Sequence, residues 1–197
     1  MLTHSSRLID RIAFAAALSK GKRTLDIGGQ KMAGTQAGCP YARAYSKIAE
    51  AASEYKIVDY QKQPTVDYVI DFNKPESIPE IKEVLRSTKP DVVLCMEMLE
   101  HVNYHFELLN AIAETGAEAF ITVPNNKNWL FEAFGWNNDH SIAFFRDIAV
   151  RFIARSSFGG RQITVYPCFG QYRWWWRLAY TAAFCQPICW GFHVARA

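Results

Sequence analysis

Four stretches of this chain end in residues that suit the binding of a nucleoside. Leu25-Asp26-Ile27 runs into Gly28-Gly29, and glycine there permits positive φ and close approach of a ligand to the backbone. Asp59 closes the run Tyr55–Asp59, where a carboxylate can accept from both hydroxyls of a ribose, a charge-assisted bidentate contact. Asp71 closes Asp67–Asp71 and can accept from an exocyclic amino group. Met96, Glu97, Glu100 and His101 stand at or just beyond the end of Asp91–Met96. One acid in such a place is weak evidence, because acids there are often solvated or cap the next helix. The succession carries the weight: a glycine turn, an acid, an acid and an acid-rich segment, each after a successive stretch. His101 and His140 are the candidate proton acceptors, since imidazole ordinarily titrates at about pH 6.5. The competing roles are a packed or capping residue for His101 and a surface helix residue for His140.

These residues need strands to deliver them. Arg23–Ile27, Tyr55–Asp59, Asp67–Asp71, Asp91–Met96 and Ala117–Val123 read as five strands, and Gln162–Tyr166 and Phe192–Arg196 as two more. Asp91–Met96 is a continuous apolar run, as expected of a strand covered on both faces. Helices are expected before the first strand, with Ser5 or Ser6 as cap and Gly21 as stop, and over Tyr41–Ser53, Pro75–Ser87, Asn103–Thr115 and Asp139–Arg155. Alternation of strand and helix predicts a Rossmann-like, doubly wound α/β fold with a mostly parallel sheet. In such a sheet ligands bind beyond the carboxyl ends of the strands.

The 197 residues suit one domain, spanning 1–197, with an N-terminal helix over 1–20. Segments 125–160 and 167–190 are expected as acceptor-side or packing insertions. Half of the chain is hydrophobic, 21% is charged and the net charge is +3, which neither demands nor excludes a nucleic-acid partner; with no block of like charge, none is expected. Five cysteines without a CxxC pair support neither a disulfide framework nor a zinc site, and reduced thiols in a cytoplasmic protein are the plain expectation. The apolar run Ile12–Leu18 is followed by no small-residue cleavage site, so no signal peptide is expected. Leu178–Ala195 lacks Asp, Glu, Lys and Arg, and reaches the minimum of roughly 18 residues for a spanning helix. Gln186, Pro187, Gly191 and His193 interrupt it, which favours a buried helix followed by a strand.

With these segments in view, the chain resembles the class I S-adenosylmethionine-dependent methyltransferases. Thr24-Leu-Asp-Ile-Gly-Gly29 looks like their first motif, and Lys56-Ile-Val-Asp59 and Tyr68-Val-Ile-Asp-Phe72 like the second and third. Asp91-Val-Val-Leu-Cys-Met-Glu-Met-Leu-Glu-His-Val102 is similar to the corresponding segment of the small-molecule group often labelled type 11. Ala119–Pro124, His140–Arg146 and Phe158-Gly159 continue the likeness, which runs from about Arg23 to Gly159. It implies seven strands with an antiparallel last strand and S-adenosyl-L-methionine as cofactor, with no metal required. It further implies that Gly28 and Gly29 border the cofactor's methionine moiety, while Asp26 orders the loop or holds the amino group. Asp59 would hold the ribose and Asp71 the adenine amino group, with Met96 and Glu97 lining the cofactor. Gln30 departs from the family pattern, which has a second glycine there.

The expected reaction is methylation, with oxygen as the nucleophile, of a small-molecule or lipid-linked acceptor such as a sugar. Trp129, Phe131, Phe134 and Trp136 could form a lid over it. Tyr172-Arg-Trp-Trp-Trp-Arg177 packs at the sheet edge or makes a peripheral membrane contact. Three other readings remain open. A nicotinamide oxidoreductase needs Gly-x-Gly-x-x-Gly opening into a helix, a pattern that Gln30, Lys31 and Met32 break. A base-modifying DNA methyltransferase would carry Asn/Asp-Pro-Pro-aromatic where this chain has Glu97-Met-Leu-Glu100. A methyltransferase-like binding module without turnover is suggested by Gln30.

Overall fold

The computed structural model describes residues 1–29, 42–125, 146–169, 187 and 189–197. Its strands are Leu2–His4 (β1), Ile9–Asp10 (β2), Arg23–Ile27 (β3), Glu54–Asp59 (β4), Tyr68–Val69 (β5), Val92–Met96 (β6), Glu118–Pro124 (β7), Ile163–Phe169 (β8) and Cys189–Val194 (β9). They form one sheet in the order β1-β8-β9-β7-β6-β3-β4-β5, with β2 also paired to β8. β9 runs antiparallel to β7 and β8, and every other pairing is parallel. From β3 the chain steps outward through β4 to β5, then returns to lay β6 and β7 on the other side of β3. The order therefore reverses between β3 and β6, and the crevice for a ligand lies beyond their carboxyl ends.

The described helices are Arg11–Ser19 (α1), Ala42–Ala51 (α2), Ser77–Thr88 (α3), His105–Glu114 (α4) and Arg146–Arg155 (α5). All five residues of β6 are buried, and the strand's alternation divides them between two cores. Val93 and Cys95 join Leu25, Ile27, Ile121 and Phe192 under α3, α4 and α5. Val92, Leu94 and Met96 join Ile12, Ile48 and Phe120 under α1 and α2. An apolar residue at every position of β6 is what burial on both faces requires.

The doubly wound α/β class holds, with the antiparallel strand in place, but among the described residues the sheet has nine strands rather than seven. The two additions are at the amino end. Residues 1–20 are not one helix: Leu2–His4 and Ile9–Asp10 are strands beside β8, and α1 starts at Arg11. Its cap is Asp10, whose Oδ1 accepts from the backbone N–H groups of Ile12 (3.0 Å) and Ala13 (3.1 Å). Ser5 is drawn into the sheet edge instead, its N–H on the Val165 carbonyl at 2.9 Å and its hydroxyl accepting from the Arg7 N–H at 3.1 Å. Gly21 lies just past the helix end with φ 68°, a left-handed stop that glycine permits. The third expected strand shortens to Tyr68–Val69, since Asp71 already turns the chain. Within Leu178–Ala195, residues Cys189–Val194 form β9. Among the described residues no helix is long and apolar enough to cross a membrane.

Candidate active site

The strand ladders bring the first three candidate positions to one edge. The Gly28 N–H bonds the Val58 carbonyl at 2.8 Å, which seats Gly28 beside Asp59. The Ile70 N–H bonds the Asp59 carbonyl at 3.0 Å, which sets Asp71 on the next strand end. Gly28 has φ 80°, and a Cβ there would lie 2.4 Å from Met98 Cγ. A Cβ on Gly29 would lie 2.5 Å from the Asp26 carboxyl carbon. Both glycines are thus required by the packing of the turn, one against β6's following loop and one against Asp26.

Asp26 lies under this turn, 1% exposed. Its Oδ2 accepts from the Tyr55 hydroxyl, and Oδ1 is buried with no hydrogen-bond partner among the described residues. Burial pushes its carboxyl up to about 7; the Tyr55 bond opposes the shift and the nearby Asp59 adds to it. Asp59 is also buried, and burial raises its carboxyl above the ordinary range although backbone N–H groups of Gln61 and Tyr60 bond it. The Gln61 bond, to Oδ1, measures 2.8 Å. Asp71 differs: it accepts from the Asn73 N–H at 3.1 Å, pairs with Lys74 at 3.5 Å and sits on the rim as a turn cap. Met96 is buried on the α1–α2 side of β6.

Beyond β6 the chain turns sharply. Glu97 has φ 52°, a left-handed conformation that a residue with a side chain adopts only when its surroundings impose it. Its N–H bonds the Thr122 carbonyl of β7 at 3.0 Å. Its Oε1 accepts from the Thr122 hydroxyl at 2.8 Å and pairs with Arg11 Nη1 at 3.0 Å. Glu100 is buried nearby and its carboxyl is raised well above the ordinary range, first by burial and then by the charge of Glu97. His101 ends the one-turn helix Leu99–His101 with its side chain exposed, 3.9 Å from Glu100 Oε1. His140, Gln30, the aromatic residues 129–136 and the cluster Tyr172–Arg177 lie outside the described residues.

Arg11 and Thr122 were not singled out from the sequence. Thr122 gave a usable signal, being the one polar residue in Ala119-Phe-Ile-Thr-Val-Pro124. Arg11 gave none, because an arginine opening an amphipathic helix ordinarily reads as solvated. His193 proves structural, its Nε2 lying 2.7 Å from Glu118 Oε1 within the sheet.

No family model matches the chain, and no curated relative does. Solved structures do match. The methyltransferase domain of the bacterial protein CtHen1-CN superposes with a TM-score of 0.53 over 94% of this chain and 97% of its own, at 12% identity. The chain shares the Rossmann-like α/β fold of that domain. The protein bound to the Trm112 methyltransferase activator of Haloferax volcanii matches with a TM-score of 0.52 over 95% of this chain and 90% of its own, at 13% identity. At these identities the likeness is one of fold, and the chemistry has to be argued from the residues at the strand ends.

Proposed function

We propose that this protein is an S-adenosylmethionine-dependent methyltransferase that methylates an oxygen of a small or lipid-linked acceptor, such as a sugar. The observation that carries the reading is the convergence of Gly28, Asp26 and Asp59 beside the point where the strand order reverses. The residues fit the cofactor. Asp26 is a buried acid with an oxygen lacking a hydrogen-bond partner among the described residues, suited to an ammonium group. Asp59 is a buried carboxylate at the neighbouring strand end, suited to a ribose. Asp71, on the rim, would meet the adenine amino group, and Met96 and the backbone of Gly28 and Gly29 would line the rest.

When bound, the cofactor supplies an electrophilic methyl group on a sulfonium. The protein's own tasks are to hold the two ends of that molecule, to place the acceptor and to keep water out. The aromatic residues around Trp129–Trp136 and Tyr172–Arg177 would serve an amphiphilic acceptor, the latter through contact with a membrane surface.

Isothermal titration with S-adenosylhomocysteine, and with NADH as comparison, tests the assignment. Saturable one-to-one binding of S-adenosylhomocysteine alone is expected. Binding of NADH alone would replace the methyltransferase with an oxidoreductase, and binding of neither at millimolar concentration would remove the enzyme reading.

A further inference from the structure

We propose that Glu97 acts on the methyl acceptor rather than on the cofactor: its Oε2 receives the hydrogen of the acceptor's nucleophilic hydroxyl while Arg11 and Thr122 hold Oε1 in place. The inference rests on the methyltransferase reading and adds to it the group that handles the acceptor's proton.

Strand order gives the first argument. Across the sheet the relevant carboxyl ends are β4 with Asp59, β3 with Gly28, β6 with Glu97 and β7 with Thr122 and Asn125. A nucleoside on Asp59, with its amino-acid arm reaching Asp26 under Gly28 and Gly29, occupies the first two. Glu97 stands one strand further on, where the acceptor has to approach the methyl group.

The geometry of Glu97 gives the second. Both of its side-chain bonds, from Arg11 Nη1 at 3.0 Å and from the Thr122 hydroxyl at 2.8 Å, fall on Oε1. No bond to Oε2 occurs among the described residues, and the side chain is 23% exposed. The left-handed backbone at φ 52° is fixed by the N–H bond to the Thr122 carbonyl at 3.0 Å. A residue that only lined a cofactor would not need its backbone and one oxygen both restrained, whereas an oxygen that must meet a hydroxyl in one orientation does.

The third argument is the delivery of Arg11. Its side chain is 10% exposed, deep for a guanidinium. It is held there because β2 adds Ile9–Asp10 to β8 and Asp10 caps α1, so the first helical residue is turned inward. Arg11 Nη1 lies 3.0 Å from Glu97 Oε1 and 3.8 Å from Cys189 Sγ. The amino-terminal strands thereby have a use: they bring a positive charge to a carboxylate at the mouth of the site.

In the step itself the hydroxyl oxygen forms the new O–CH3 bond with a lone pair as the S–CH3 bond breaks. The electron pair of that bond stays on sulfur, which becomes a neutral thioether, and the hydroxyl proton passes to Glu97 Oε2.

The test needs no identified acceptor. Sinefungin carries an amine-bearing carbon where the cofactor has its sulfonium methyl, so its ammonium would meet Glu97 Oε2. A charge-assisted bond of this kind is worth about tenfold to a hundredfold in affinity. Titration of the full chain should show sinefungin binding at least about tenfold more tightly than S-adenosylhomocysteine. Glu97→Gln should abolish that preference and leave S-adenosylhomocysteine affinity within about twofold. Should removal of the charge beside Arg11 prevent folding, Glu97→Asp keeps the charge, withdraws the oxygen by one methylene and should lose the preference in the same way. Equal weakening of both ligands would make Glu97 a cofactor residue and overturn the proposal, as would no change in either. A wild-type chain that binds neither ligand overturns the methyltransferase reading and this inference with it.

Discussion

Replacing Asp26 by asparagine separates the cost of a buried carboxylate from its use. Asp26 is 1% exposed and titrates at about 7 instead of 3.8, chiefly because burial penalises its charged form. At about 1.36 kcal/mol for each pH unit, ionising it inside the fold costs about 4 kcal/mol relative to the unfolded chain. The sign follows from proton binding. Between pH 4 and 7 the folded state holds the proton more tightly than the unfolded state, so this contribution to stability is full below about pH 4 and is lost as pH rises to about 7. Asparagine has no proton to lose. The stability difference, variant minus wild type, should therefore grow by about 4 kcal/mol between pH 4 and pH 8 and stay level beyond. Any fixed offset from the new amide moves this curve without changing its slope. Urea unfolding at four or five pH values reads it directly. A difference that stays constant with pH would refute the reasoning, because Asp26 would then titrate alike in both states. The same substitution should cost about tenfold or more in S-adenosylhomocysteine affinity at pH 8, by removing the charge that meets the ammonium group. In the wild type that affinity should rise with pH up to about 7 and then level.

Gly28→Ala should destabilise the fold by about 1–3 kcal/mol, since it forces a Cβ into Met98 at positive φ. Adding Met98→Ala should return the steric share only, as a urea-unfolding double-mutant cycle would show. Asp59→Asn keeps an oxygen for the Gln61 N–H and removes a carboxyl that burial raises, so it should not lower the melting temperature at pH 8, yet it should weaken S-adenosylhomocysteine binding about tenfold in calorimetry. His101→Ala, at an exposed position, should alter stability by less than about 0.5 kcal/mol and leave that affinity alone; a large loss of binding would put the ring inside the site.

The strands that carry the site were legible because each is a bounded apolar run. Arg23–Ile27 matches β3 residue for residue, β4 and β6 differ from expectation by a residue at one end, and β7 is shifted by one residue at both ends. β1 and β2 were not legible, for two or three residues hold no periodicity and these exist only through pairing with β8, far along the chain. Gly28, Asp59 and Asp71 could be placed on a common edge because parallel strands align their carboxyl ends. Their side-chain duties could not be read so easily: Asp71 caps a turn on the rim, while Asp26 and Asp59 are buried. The Arg11–Glu97–Thr122 cluster joins α1, the loop after β6 and β7, and no local pattern foretells such a meeting.

A crystal structure of the chain with S-adenosylhomocysteine tests the central claim most directly. The ribose hydroxyls should lie within hydrogen-bond distance of the Asp59 carboxylate, with the ammonium group at Asp26 and the backbone of Gly28 against the methionine arm. An adenosine bound elsewhere, or a space above Gly28 and Asp59 filled by the protein's own side chains, would contradict it.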